Sequence, residues 1–130
     1  MSEVNATIQS TTNRGPIIAI VGPCASGKST LAANLQTRGF DARVSGQEHS
    51  EIATLWKRLR ADMVVALHID IATLRARRGE TWSQTIFDVQ LKRLRDAYAA
   101  ADIHIDTAEV SESEALAIVM ATLAPNEGCV

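Results

Sequence analysis

The sequence predicts an α/β fold, a three-layer α/β/α sandwich around a small parallel sheet of about four strands, on three observations. Short apolar runs alternate with helical patterns along the chain, the order in which right-handed crossovers bury both faces of a parallel sheet. The run Ile17-Ile-Ala-Ile-Val21 leads directly into Gly22-Pro23-Cys24-Ala25-Ser26-Gly27-Lys28-Ser29-Thr30, which reads as strand, glycine-bounded loop and helix start. Met63 to Ile69 is nearly continuous in apolar residues, as a central strand covered on both sides requires.

Each element follows from its local pattern. Behind the loop, Leu31 and Leu35 share one helical face, with Gly39 as the C′ stop and Phe40 covering it. Asp41 to Ser45 is a short strand anchored by Val44 and ending in Gly46-Gln47-Glu48-His49. Ser50 is placed to cap a helix whose Ile52, Leu55, Trp56 and Leu59 fall at i, i+3, i+4 and i+7, opposite Lys57, Arg58 and Arg60. After the central strand, Asp70 caps a short helix with Ile71 and Leu74 that closes in Arg75, Arg77, Arg78 and Gly79. Thr81 and Gln84 form a capping-box pair opening a long helix with Phe87, Leu91, Leu94 and Tyr98 along one side. Asp102 to Thr107 is a last short strand, and Ser111 with Glu114 makes a second capping box ahead of Leu116, Val119, Met120 and Leu123, with Pro125 as the stop.

A chain of 130 residues with 46 % apolar content has room for one domain, expected over residues 15–124, between a disordered polar leader at 1–14 and a flexible tail at 125–130. The net charge of −2 argues against nucleic acid as an obligatory partner, because such proteins gather a positive excess to displace counterions. No apolar run is long enough for a membrane span and no hydrophobic signal core opens the chain, so a cytoplasmic protein without a membrane partner is expected. Cys24 and Cys129 make a poor disulfide framework and are expected to be reduced. Cys24, near a helix start that favours a thiolate, reads either as a small loop filler or as an oxidisable group.

The loop has its own chemistry. A Gly-x-x-x-x-Gly-Lys-Ser spacing lets consecutive backbone N–H groups converge on one oxyanion while Gly22 and Gly27 relieve the backbone, so Gly22 through Thr30 are candidate phosphate contacts. The helix start adds partial positive charge. Lys28 would reach the β- and γ-phosphates and Ser29 would offer a hydroxyl to Mg²⁺.

On this motif, in its strand and helix context, the chain resembles the P-loop kinases, a group of small-molecule kinases that includes adenylate and shikimate kinases. The likeness runs from about Ile17 to Leu123 in element order. The resemblance implies a P-loop nucleotide-binding domain that takes ATP with Mg²⁺ and passes the γ-phosphate to a small metabolite or nucleotide. It also implies an arginine-bearing lid after the central strand, with Arg75 and Arg78 as the catalytic pair. These two share a helical face while Arg77 points elsewhere, and the competing reading is a solvated basic helix end. The family's acidic Mg²⁺ organiser has no obvious counterpart; Glu48 is the first candidate and Asp70 the second, against a turn residue and an N-cap.

The helix and strand with which larger kinases build the acceptor pocket are missing here. A nucleotide-binding sensor or regulatory module with little phosphoryl transfer is therefore the alternative to a kinase. A GTPase switch is disfavoured, since no Asn-Lys-x-Asp sequence occurs. The partners expected are the triphosphate and a small-molecule acceptor, with a homodimer left open. His49, His68 and His104 lack zinc-site spacing, so no protein metal cage is expected, although His49 beside Glu48 could contact substrate. Trp56 and Trp82 read as core, and Lys92, Arg93 and Arg95 as a solvated helix face.

Overall fold

Alternation of side chains across β1 (Ile17–Val21) sends Ile18 and Ile20 to one face of the sheet and Ala19 and Val21 to the other. The computed structural model of the protein describes residues 15–123, so the expected leader and tail, with the stop at Pro125, lie outside the described residues. A four-stranded parallel sheet in the order β2-β1-β3-β4 is formed with β2 (Asp41–Val44), β3 (Met63–His68) and β4 (Ile103–Asp106). Four helices accompany it among the described residues: α1 (Lys28–Thr37), α2 (Ile71–Arg78), α3 (Gln84–Ala100) and α4 (Glu112–Leu123).

Two apolar layers hold helices against opposite faces of the sheet, an arrangement compatible with a three-layer sandwich. Ile18, Ile20, Val65, Leu67, Ile103 and Ile105 meet Leu31 and Leu35 of α1 and Leu116 and Val119 of α4. On the other face Ala19, Val21, Val64 and Ala66 meet Leu94 and Ala97 of α3, and the alanines let that helix approach closely. None of the described helices is long and apolar enough to cross a membrane.

Several ends are built as expected. Gly39, at φ 90°, closes α1 in a Schellman motif, with Phe40 N–H donating to Leu35 O at 3.1 Å and Gly39 N–H to Gln36 O at 2.9 Å. Asp70 caps α2 by accepting from Thr73 N–H at 2.7 Å. Ser111 and Glu114 form the reciprocal box, at 2.7 and 3.1 Å.

Three expectations are corrected. The stripe Ile52, Leu55, Trp56, Leu59 does not make an α-helix; the segment holds a short 3-10 turn, Gln47–His49, and a 3-10 helix, Leu55–Leu59, stopped by Arg60 at φ 52°. The cause is Gln47, fully buried, whose side-chain amide donates to Ile52 O at 2.8 Å and accepts from Trp56 N–H at 2.9 Å. Those two groups are the partners of one α-helical hydrogen bond, and the glutamine stands between them. Second, Val44 is 39 % exposed, and Ala42 is the buried anchor of β2. Third, α3 is capped by Ser83, which accepts from Ile86 N–H at 3.2 Å, so the Thr81 and Gln84 pair is displaced.

Candidate functional site

The loop between β1 and α1 is shaped by two glycines. A Cβ on Gly22 would lie 2.6 Å from Ser26 Oγ and 3.0 Å from Leu67 O, so only glycine lets the loop fold against β3. Gly27 is left-handed at φ 97° and turns the chain into α1. Ala25, also left-handed at φ 64°, is held through its carbonyl by Arg77 Nη1 at 2.6 Å, and Ser26 O accepts from Thr107 Oγ1 at 2.8 Å.

Lys28 sits at the first turn of α1, nearly buried, and its ammonium is fully committed. It donates to Gly22 O at 2.9 Å and Pro23 O at 3.0 Å and pairs with Glu48 Oε2 at 2.9 Å. Glu48 reaches it because β2 pairs with β1, which brings the turn at the carboxyl end of β2 beside the loop. The acid is 4 % exposed, and its second oxygen, Oε1, has no hydrogen-bond partner. Ser26 Oγ, also buried, has none either. Unpaired buried oxygens are costly, and these two belong to residues that line the same cavity.

A cavity of about 740 Å³ opens over this point, at the carboxyl edge of the sheet. Its lining includes Cys24 through Thr30, Glu48, His49, Arg77, Arg78 and Thr107, so most of the residues expected to act together are brought together. Gly22 and Pro23 are buried beneath it and contribute the carbonyls under Lys28. Ser29 is exposed at its edge.

Arg75 is not among the lining residues. Its Nε and Nη2 donate to Trp82 O at 3.1 and 3.0 Å, which ties the end of α2 to the turn before α3. Arg77, expected to point elsewhere, instead spans Ala25 O and Thr107 O, the latter at 2.8 Å. Arg78 lines the cavity without an ion pair among the described residues. Of the expected pair, then, Arg78 reaches the cavity and Arg75 does not, while Arg77 lines it. Asp70 serves as the N-cap of α2, where Thr73 lowers its pKa by hydrogen bonding.

Two residues of α3 escaped sequence reasoning. Gln90, 3 % exposed, accepts from Cys24 N–H at 3.0 Å and donates to Cys24 Sγ at 3.2 Å. Arg93, expected to be solvated, donates to Glu48 O at 3.3 Å and lies 3.7 Å from Glu51. The available signal was their i, i+3 spacing, a polar pair beside the apolar stripe of a core helix. His49 Nε2 lies 3.4 Å from Glu48 Oε2 and 3.8 Å from Cys24 Sγ. No protein-family model and no curated protein matches the chain.

Proposed function

We propose that the protein binds a nucleoside triphosphate, ATP in the first instance, with Mg²⁺, and that it is a minimal P-loop kinase acting on a small metabolite or nucleotide. The observation that carries this reading is Lys28: a nearly buried ammonium laid over the carbonyls of a glycine-bounded loop, paired with a buried acid, beneath an open cavity. A triphosphate tail would give a polyanion to Lys28 and to the N-terminal turn of α1, which opens at Gly27.

Ser29 and Glu48 would hold Mg²⁺, for which the hydroxyl at the cavity edge and the unpartnered Glu48 Oε1 are suitable hard oxygen donors. The ion, when bound, neutralises charge on the phosphate oxygens. Lys28 exchanges a loop carbonyl for phosphate, Arg78 supplies a guanidinium over the transferring group, and Arg77 keeps the Ala25 turn in its left-handed conformation. Positioning and charge stabilisation carry the catalysis.

The connection between β2 and β3 favours the second reading, a nucleotide-binding regulatory module. It consists of two short 3-10 segments and no acceptor-binding domain. Incubation with Mg²⁺-ATP and a panel of nucleosides, nucleotides, sugars and acid metabolites separates the two. Acceptor-dependent ADP release supports the kinase. A nucleotide-dependent rise in Tm with no acceptor effect supports the module.

A further inference from the structure

The geometry points to a zinc-type metal site formed by Cys24, Glu48 and His49 at the rim of the cavity. One ligand atom from each, a thiol sulfur, a carboxylate oxygen and an imidazole nitrogen, lies within 4.8 Å of the others. These are the donor types that Zn²⁺ takes, at about 2.3 Å for sulfur, about 2.0 Å for nitrogen and about 2.1 Å for oxygen. Tetrahedral angles at those lengths separate sulfur from nitrogen by about 3.5 Å and nitrogen from oxygen by about 3.4 Å. The observed separations are 3.8 Å for Cys24 Sγ to His49 Nε2 and 3.4 Å for His49 Nε2 to Glu48 Oε2. Two of the three separations therefore come close to those of a tetrahedral site, and the third, from Cys24 Sγ to the Glu48 carboxylate, is within 4.8 Å.

A second observation points the same way. Glu48 is buried and its Oε1 has no partner, so the contact with Lys28 leaves the carboxylate unsatisfied, and the oxygen that faces His49, Oε2, is the one that would ligate the ion. Cys24 is oriented by Gln90, which grips both its backbone N–H and its sulfur, and such outer contacts hold metal ligands in place. His49 is exposed and Cys24 partly so, which gives an ion a path from solvent. On binding, the Cys24 thiol releases its proton to solvent and the thiolate forms the bond to the metal.

Cobalt(II), a spectroscopic stand-in for zinc, tests the site directly in the full chain under a non-thiol reductant. The expected result is one cobalt per chain with a thiolate-to-metal charge-transfer band and intense tetrahedral ligand-field bands, both displaced by zinc. Cys129→Ser should keep the bands and Cys24→Ser should lose them. His49→Ala, a change at an exposed position, should weaken zinc binding by at least about tenfold without altering Tm of the metal-free protein. Absent bands, or bands that survive Cys24→Ser, overturn the proposal. One consequence rests on the nucleotide reading: zinc should reduce the Tm rise given by Mg²⁺-ATP, because Glu48 and Ser29 line the same cavity. A cobalt site without any nucleotide effect would leave the metal site standing and count against the nucleotide.

Discussion

Lys28 and Glu48 show how a buried charged pair is held in place by a fold. The ammonium uses its three protons on Gly22 O, Pro23 O and Glu48 Oε2, so it stays in position without a ligand, yet two of those partners are weak competitors for a phosphate. Lys28→Ala should remove nucleotide binding, read as the loss of the ATP-dependent rise in Tm. The arginines divide differently from their spacing. Arg77→Ala should weaken triphosphate binding roughly tenfold by releasing the Ala25 and Thr107 carbonyls, whereas Arg75→Ala should lower stability and leave binding unchanged. Under the kinase reading, Arg78→Ala should lower turnover at nearly constant nucleotide affinity; titration and steady-state kinetics on the three variants distinguish these outcomes.

At the scale of elements, capping and pairing set stability. Ser111→Ala should cost about 1 kcal/mol by opening the N-terminal box of α4, a fall in Tm of roughly 5 °C. The neighbouring strands β3 and β4 present His68 and His104 in a ring-to-ring hydrogen bond of 2.9 Å. Burial, and then the charge on His104, lower the His68 pKa from 6.5, so the folded state favours the neutral ring. Its contribution is therefore complete above about pH 6.5 and is lost as pH falls through the lowered value. The denaturation midpoint should drop as pH falls below about 6.5, and less so in His68→Gln. Acid loss at the Asp70 cap belongs to a separate window, below its ordinary value of 3.8. The strands, the glycine loop and the Ser111 box were legible because each is written in neighbouring residues. The 3-10 segment was not, because its determinant is a distant side chain, Gln47, inserted between Ile52 and Trp56. Cys24, Gln90 and His49 were likewise unreadable as a group, since only the fold brings a loop, a helix and a turn together.

Across the whole molecule, the carboxyl edge of the sheet gathers the groups of the site while the two apolar layers keep the strands in register. β1 and β2 deliver Lys28 and Glu48, α2 delivers Arg77 and Arg78, and α3 braces both the loop and the Glu48 turn from behind. Because ligand binding to the native state alone stabilises it, saturating Mg²⁺-ATP at about a hundredfold over Kd should add about 2.7 kcal/mol. Isothermal calorimetry of Mg²⁺-ATP and Mg²⁺-GTP with the full chain tests the central claim most directly. A saturable one-to-one heat in the native protein, absent from a folded Lys28→Ala variant, is the result predicted. No heat for either triphosphate at millimolar concentration, or an isotherm unchanged by Lys28→Ala, would contradict it.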